Sequence, residues 1–297
     1  MRVLITGGTG LLGKALIESR NQPYDIVVAT YVGNYSMSDS DDIRYLKLDI
    51  RNQDGYAYLF QEFTPDVIIH TAGIGSPDYA EQHREESWDI NIGGTRNILS
   101  CCEKYNSKLI FISSNGIYDG EKAPYNEEDP AEPINYYGEL KVKAEEMIMD
   151  AGSQHAIVRP ILMYGWNHPF ERPNIATYCL SKLIEGEKVS VYDDVFLTPL
   201  FSKSCADAIW RIIEGNKCGV FNIAGSERAS IYQMIRKMAD ILGLNSELVE
   251  PVQQGYFNEL VKRPRDTSFR TWKMQKVLGI EPLSLNEGFT AMKDCRE

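Results

Sequence analysis

Short runs rich in β-branched and aromatic residues alternate with longer segments of helical periodicity along the first half of the chain. The runs predict strands at residues 2–6, 25–31, 45–48, 66–70, 108–113 and 155–159. The longer segments predict helices at residues 10–19, 55–63, 85–105 and 136–149. Strands that alternate with helices indicate βαβ units with right-handed crossovers. Continuously apolar strands, such as residues 67–69, are typical of a sheet buried on both faces. The pattern therefore predicts an α/β fold with a doubly wound parallel sheet.

The second half of the chain has a looser pattern, because Pro160, Pro169 and Pro173 interrupt it. Beyond them, helices are predicted at residues 175–185, 203–214, 230–242 and 285–292, and short strands at residues 189–191 and 220–223. We therefore expect a first domain at residues 1–160 and a smaller α+β lobe at residues 161–297, with some elements of the lobe returning to the first domain.

The composition excludes several classes of protein. The 297 residues carry 31 basic and 42 acidic side chains, a formal net charge of −11, which argues against binding to nucleic acid because that affinity comes largely from cations. The sequence has neither an apolar run of about 18 residues nor a secretory signal, so we expect a cytoplasmic protein without a membrane partner. The six cysteines lack C-x-x-C spacing and the four histidines are scattered, so we expect free thiols and no metal site.

A glycine-rich loop follows the first predicted strand and opens the first predicted helix. Its glycines form a G-x-x-G-x-x-G pattern at Gly7, Gly10 and Gly13. Glycine lets the backbone approach a pyrophosphate closely, and the N-terminus of the following helix offers free N–H groups. The same pattern can form an ordinary strand-to-helix turn, but its position at the first βα junction favours dinucleotide binding by the first domain.

The sequence leaves the choice between NAD and NADP open. The second predicted strand ends in Thr30-Tyr31 and offers neither an acidic residue for a ribose hydroxyl nor an arginine for a 2′-phosphate. Asp49 follows the third strand, where it could accept a hydrogen bond from the adenine amino group or cap the next helix.

Two features predict proton transfer. Tyr137 and Lys141 form a Y-x-x-x-K pattern, and positions i and i+4 of a helix lie on the same face. A nearby ammonium would lower the pKa of the phenol toward the working range of an acid or base. The strand at residues 108–113 ends in Ser113-Ser114, at the sheet edge where ligands of α/β proteins bind, so a serine could donate to a substrate carbonyl or simply cap the loop.

These motifs together resemble the extended short-chain dehydrogenase/reductases. Four further segments agree with that superfamily: residues 70–73 (HTAG), 91–97 (NIGGTRN), 158–160 (VRP) and 164–165 (YG). The resemblance covers most of the chain. It implies a Rossmann fold that binds NAD(P) and a lobe that binds a nucleotide-linked sugar.

Within the superfamily, the chain resembles the dTDP-4-dehydrorhamnose reductases. The matching segments are residues 112–120 (ISSNGIYDG), 133–138 (PINYYG), 197–200 (LTPL) and 263–264 (RP). Two residues depart from that pattern: Ser114 stands where the reductases usually carry Thr, and Asn115 replaces their Asp. The resemblance implies the reduction of a 4-keto group of a nucleotide-linked deoxysugar.

The resemblance also assigns roles to individual residues. Catalysis falls to Ser114, Tyr137 and Lys141. The residues expected to bind the cofactor are Gly7, Thr9, Gly10, Leu11, Leu12, Asp49, Ile50, Thr71, Ala72, Gly73, Asn91, Ser113, Tyr137, Lys141 and Arg159. The residues expected to bind the substrate are Ser114, Tyr164, Trp166 and Arg263. Asn91 could instead brace the neighbouring strand, and one of Tyr164 and Trp166 is expected to be packed in the interior.

Two other functions remain open at this stage. The first is a nucleotide-sugar epimerase on the same scaffold, which would keep its NAD bound through turnover. The second is a non-catalytic, NADP-binding regulatory subunit, since the regulatory subunit of methionine adenosyltransferase is similar to this reductase family. By analogy with the family, the helices at residues 85–105 and 136–149 could form a homodimer interface.

Overall fold

The predicted parallel sheet is present in the computed structural model, which describes residues 1–20, 26–152 and 154–295. Seven parallel strands lie in the order β11-β6-β5-β4-β1-β2-β3. The strands of this sheet are β1 (Arg2–Thr6), β2 (Ile26–Tyr31), β3 (Ile43–Lys47), β4 (Val67–His70), β5 (Lys108–Ile112), β6 (Ala156–Pro160) and β11 (Gly219–Ile223). The shorter strands are β7 (Met163–Tyr164), β8 (Val189–Tyr192), β9 (Phe196–Leu197), β10 (Leu200–Phe201), β12 (Ala229–Ser230) and β13 (Val249–Val252).

Helices cover both faces of the sheet, which confirms the predicted α/β class. In the first half of the chain they are α1 (Leu11–Glu18), α2 (Gln53–Phe63), α3 (Pro77–Gln82), α4 (Arg84–Trp88), α5 (Thr95–Tyr105) and α6 (Tyr136–Asp150). In the second half they are α7 (Ile175–Ile184), α8 (Ser202–Glu214), α9 (Ile231–Leu242), α10 (Trp272–Leu278) and α11 (Leu285–Asp294). None of the helices in the described ranges is long and apolar enough to cross a membrane.

Alternation along β1 shows how the sheet is buried. Val3 and Ile5 point into one apolar cluster, and Leu4 points into a second cluster on the other face. All three side chains are fully buried. The strand is apolar at successive positions because both faces of the sheet are buried, as the sequence predicted.

The predicted helix at residues 85–105 is interrupted in the structure. A π-helical segment, Asp89–Gly94, separates α4 from α5. Gly94, at the end of this segment, packs against Ile50 in the loop between β3 and α2. A Cβ added to Gly94 would lie 2.5 Å from Ile50 Cδ1. The third strand begins at Ile43, two residues before its predicted start, and the predicted start of the second strand, at residue 25, lies outside the described residues.

Beyond residue 160, the chain contributes β11 to the main sheet. β11 pairs with β6 along its whole length, from Gly219 opposite Ala156 to Ile223 opposite Pro160. The remaining short strands of the lobe pair as β7 with β10, β9 with β12 and β8 with β13. The carboxyl ends of β1, β4 and β5 meet at one edge of the sheet, where the motif residues follow.

Candidate active site

The glycine loop at the end of β1 needs its glycines for two reasons. Gly7 has φ +71, and a Cβ there would lie 2.7 Å from Thr71 Oγ1. A Cβ on Gly13 would lie only 2.3 Å from the carbonyl oxygen of Gly7. Gly10 differs, because a Cβ there would meet nothing closer than the Gly7 oxygen at 3.4 Å. Gly7 and Gly13 are therefore required by the conformation and packing of the loop, whereas Gly10 leaves open space at the N-terminus of α1.

The N-terminus of α1 is available to an anion. Gly10 is the N-cap and supplies no side-chain cap, and the first turn, which begins with Leu11 and Leu12, contains no acidic residue. The first N–H groups of a helix lack intrahelical partners, and the dipole there favours negative charge.

Ser114 and Tyr137 lie close together beside Gly116. A Cβ added to Gly116 would lie 3.1 Å from Tyr137 Cε1 and 3.4 Å from Ser114 Oγ. Ser114 is 9 % exposed, and its hydroxyl accepts a hydrogen bond from the Gly116 N–H at 3.0 Å. The sequence forms this arrangement because Asn135 caps α6 and starts the helix that carries Tyr137.

Lys141 is directed into the sheet. Its Nζ donates to the carbonyl oxygen of Ile112 at 2.8 Å and lies 5.0 Å from the centre of the Phe111 ring. Burial lowers the pKa of Lys141 to about 8, and the neighbouring Glu145 carboxylate opposes that shift. The ammonium therefore lies beneath the strand end from which Ser113 and Ser114 follow.

The protein raises the pKa of Tyr137, contrary to the expectation that Lys141 would lower it. Burial of the phenol is the largest cause, and a hydrogen bond with Ser114 acts in the opposite direction. The i, i+4 spacing brings the two side chains to one helix face, but the Lys141 ammonium is occupied by a backbone carbonyl of β5.

The loop after β4 lies next to the glycine loop and is hydrogen-bonded to it. Thr71 Oγ1 donates to the carbonyl oxygens of Thr6 at 2.6 Å and Gly7 at 3.2 Å. Asn91 braces this loop: its Oδ1 accepts from the Ile74 N–H at 2.7 Å and its Nδ2 donates to the Ile74 oxygen at 3.1 Å. Ala72 and Gly73 lie between these two anchors.

His70, at the end of β4, is fully buried between two threonines. Its Nδ1 lies 2.7 Å from Thr6 Oγ1, and its Nε2 lies 3.1 Å from Thr95 Oγ1. Burial lowers the pKa of His70 to about 3, so the ring is neutral and ties β1 to α5. The motif at residues 70–73 therefore contributes a structural histidine.

Asp49 is not the cap of α2. The cap is Asn52, whose side chain accepts from the Gly55 N–H at 2.9 Å. Asp49 instead pairs with Arg51, with 2.6 Å between Oδ2 and Nη2, and these hydrogen bonds lower the pKa of its carboxyl. Ile50 is buried in the apolar cluster on that face of the sheet.

Three residues expected in the site have structural roles. The Arg159 guanidinium is buried against Glu145, with 2.6 Å between Nη2 and Oε2, so it is not available to a cofactor. Tyr164 is 1 % exposed and its ring packs 4.3 Å from that of Phe289, so it cannot contact a substrate. Trp166 donates from Nε1 to the carbonyl oxygen of Met292 at 2.7 Å, which anchors it to α11. Sequence patterns could not separate these roles for Arg159 and Tyr164, because both residues belong to motifs shared with the superfamily.

Arg263 lies beside the start of α6. The preceding residue, Lys262, accepts a hydrogen bond at its carbonyl oxygen from Asn135 at 3.2 Å. Arg263 itself forms ion pairs with Asp78, at 2.6 Å, and with Glu259, at 3.3 Å. The basic segment therefore approaches the helix that carries Tyr137, but its arginine is held by two carboxylates.

Sequence reasoning missed a group that covers the glycine loop. Thr9 Oγ1 donates to Glu171 Oε1 at 2.7 Å, and Tyr35 donates to the same oxygen. The ring of Phe170 lies 4.0 Å from that of Tyr35. Neither loop has a periodic pattern, so no sequence signal connects positions separated by more than 130 residues.

The fold is that of the extended short-chain dehydrogenase/reductases, as the motifs predicted. More narrowly, the chain belongs to the RmlD family, because the family model described as RmlD substrate binding domain matches residues 1–295.

The proteins similar to this chain have names that indicate different functions. The chain is 26% identical to a dTDP-4-dehydrorhamnose reductase from Bacillus anthracis solved in complex with NADP, with a TM-score of 0.85 over 99% of this chain and 98% of that one. It is 26% identical to "Methionine adenosyltransferase 2 subunit beta" of Danio rerio over 94% of this chain and 85% of that protein. It is 22% identical to "Probable low-salt glycan biosynthesis reductase Agl14" of Haloferax volcanii over 99% of this chain and 97% of that protein.

Proposed function

We propose that this chain is a nicotinamide-dependent reductase that acts on the 4-keto group of a nucleotide-linked deoxysugar. The observation that carries the proposal is the proximity of Ser114 and Tyr137 beside Gly116, with the Lys141 ammonium bound to the carbonyl oxygen of Ile112 at the end of β5. These groups follow β5, which lies two strands from the glycine loop of β1.

The residues at the sheet edge fit a dinucleotide. Gly10 leaves the space that a pyrophosphate needs at the N-terminus of α1. The buried hydroxyl of Ser113 has no hydrogen-bond partner among the described residues, as expected of a group that awaits a ligand. Thr71, Ala72 and Gly73 would line the same site.

The side chains support proton donation to a sugar oxygen. The dinucleotide, when bound, supplies the hydride. Tyr137 is held in its protonated form by burial and donates from its phenol oxygen to the developing alkoxide. Ser114 donates a hydrogen bond to the carbonyl oxygen and stabilises the charge that develops there. Lys141 places a positive charge next to the strand end, where it would stabilise the phenolate that remains after Tyr137 has given up its proton.

Arg263 is the candidate for the substrate diphosphate. Its planar guanidinium suits phosphate oxygens, and it lies close to the start of α6 through the Lys262–Asn135 hydrogen bond. A diphosphate would have to displace the carboxylate of Asp78 or Glu259 from it.

The test is turnover of a dTDP-4-keto-6-deoxysugar in the presence of NADH or NADPH. We expect stoichiometric oxidation of the reduced cofactor, whereas an epimerase would convert the sugar without net oxidation. Tyr137→Phe should reduce the rate about 10²–10⁴-fold, the usual contribution of a positioned acid. Tyr136→Phe is the matched control, because the Tyr136 hydroxyl donates to the Arg84 carbonyl on the outer side of α6. Equal rates for Tyr137→Phe and the wild type would contradict the proposed proton donor.

A second candidate, a non-catalytic subunit of a methionine adenosyltransferase, is favoured by the relatives of that name. The test is co-purification of the tagged chain with the methionine adenosyltransferase of the same cell, followed by assay of both activities. Association with that enzyme, together with no turnover of any keto sugar, would favour this function over the reductase.

A further inference from the structure

The loop after β2 lacks a charged group for the adenosine ribose. In nucleotide-binding βαβ units an acidic residue at this place binds the ribose 2′-hydroxyl, and a nearby arginine accommodates a 2′-phosphate. Here β2 ends at Tyr31, and residues 32–38 (VGNYSMS) contain neither an acid nor a base. The usual determinant of cofactor choice is therefore missing from this loop.

A carboxylate from the second half of the chain reaches the same place. Glu171 Oε1 accepts a hydrogen bond at 2.7 Å from Thr9, which is 3 % exposed and lies in the glycine loop. The same oxygen accepts from the hydroxyl of Tyr35, whose ring stacks on Tyr31 with 5.3 Å between ring centres. One carboxylate oxygen thus joins the glycine loop to the end of β2.

The segment that carries Glu171 is fixed in place. Phe170 packs against Tyr35, with 4.0 Å between ring centres, and His168 stacks on Phe170 at 5.0 Å. Asn167 Nδ2 donates to the carbonyl oxygens of His168 at 2.8 Å and Glu171 at 3.2 Å. The carboxylate is therefore positioned by stacked rings and a hydrogen-bonded turn.

The basic side chains on the neighbouring elements are Lys14 on α1, Arg44 and Lys47 on β3, and Arg172, which follows Glu171 in the chain. Lys14 of α1 forms an ion pair with Glu18, and Lys47 of β3 donates to Asn34 Oδ1 at 2.9 Å. Burial and the hydrogen bond to Glu171 raise the pKa of Tyr35 to about 12, so Tyr35 stays a neutral donor. The charged group that contacts both the glycine loop and Tyr35 is the Glu171 carboxylate.

We propose that Glu171 selects the cofactor, by accepting a hydrogen bond from the 2′-hydroxyl of the adenosine ribose and repelling a 2′-phosphate. The chain then prefers NAD(H) to NADP(H), through a carboxylate of the lobe and not of the second strand. This inference rests on the proposed dinucleotide binding but not on the identity of the sugar.

The test is calorimetric titration of the full chain with NAD⁺ and with NADP⁺, without substrate. We expect the wild type to bind NAD⁺ about tenfold or more tightly than NADP⁺, since a hydrogen bond to a charged group is worth at least that factor. Glu171→Gln should bring the two dissociation constants to within about threefold of each other, because the repulsive charge is removed. Glu185→Gln is the control, since Glu185 is an exposed carboxylate at the far end of α7.

Three results would overturn the inference. Tighter binding of NADP⁺ by the wild type contradicts it without any variant, so a Glu171→Gln chain that fails to fold does not remove the test. An unchanged ratio in a folded Glu171→Gln variant assigns the choice to other residues. Binding of neither dinucleotide by a folded wild type overturns the proposed function itself, whereas NADP⁺ preference with intact keto-sugar reduction overturns only the role of Glu171.

Discussion

At the scale of single residues, Lys141 is the most constrained charge of the candidate site. Its side chain is 9 % exposed, and its ammonium has the Ile112 carbonyl as a hydrogen-bond partner. Burial lowers its pKa to about 8 from the ordinary value of 10.5. Between these two values the unfolded chain binds more protons at this residue than the folded chain does, so its contribution to stability increases as the pH rises.

We expect Lys141→Met to change how stability depends on pH. The free energy of unfolding of the wild type, relative to the variant, should increase between pH 8 and 10.5, with a steepest slope of up to about 1.4 kcal/mol per pH unit. Urea unfolding of both proteins across this range measures the difference. Lys143→Met is the control, because Lys143 is exposed and pairs with Glu146. A difference that stays constant with pH would show that Lys141 keeps its ordinary pKa in the folded protein.

At the scale of elements, different glycines of the β1–α1 unit serve the packing of the loop and the binding of a ligand. Gly13 packs on the backbone of Gly7 and Gly8, with 2.6 Å from an added Cβ to Gly8 Cα. Gly10 has φ −65, which any residue can adopt, and its Cβ position is open. Gly13 is therefore needed for packing and Gly10 for open space at the helix N-terminus, although the two are equivalent in the sequence pattern.

Alanine substitutions should distinguish the two glycines. Gly10→Ala should leave the melting temperature nearly unchanged but lower dinucleotide affinity about tenfold or more, because the new methyl group fills the space for a pyrophosphate. Gly13→Ala should cost about 1–3 kcal/mol of stability through overpacking. Thermal unfolding without ligand and titration with the preferred dinucleotide measure both effects. Full affinity in the Gly10→Ala variant would place the pyrophosphate elsewhere.

At the scale of the whole molecule, a buried polar network connects the main sheet to the loops around the site. Arg159 on β6 pairs with Glu145 on α6 and donates to the Tyr118 hydroxyl at 2.9 Å. The backbone carbonyl oxygen of Glu127 also accepts a hydrogen bond from Arg159. The Glu127 carboxylate accepts one from the backbone N–H of Asn222 on β11, at 2.9 Å. The strand that returns from the lobe is thereby tied to the helix that carries Tyr137 and Lys141.

Removal of one partner of the buried pair should be costly. Arg159→Met leaves the Glu145 carboxylate buried without its cation, so we expect a loss of about 3–5 kcal/mol in the free energy of unfolding. Glu146→Gln, which breaks the exposed pair with Lys143, should cost no more than about 1 kcal/mol. Chemical denaturation measures both. A loss below 1 kcal/mol for Arg159→Met would mean that water reaches Glu145 once the guanidinium is gone.

The sequence by itself predicted what depends on local periodicity and short spacing. The alternation of strands and helices and the position of the glycine loop were readable, because each is encoded within a few residues of a βα unit. The Ser114–Tyr137–Lys141 set stays a prediction. The π-helical break at residues 89–94 was not readable, and Gly94 at its end packs against Ile50, a contact between positions far apart in the sequence.

Only the tertiary structure decided which motif residues face the site and which face the core. Tyr164 and Arg159 belong to motifs that the chain shares with the superfamily, as the candidate site residues do, but packing against Phe289 and Glu145 buries them. Glu171 has no motif at all, and it approaches Thr9 only because the lobe folds back over the glycine loop. Local sequence determines where a side chain leaves the backbone, whereas its partners come from distant positions that only the folded chain brings together.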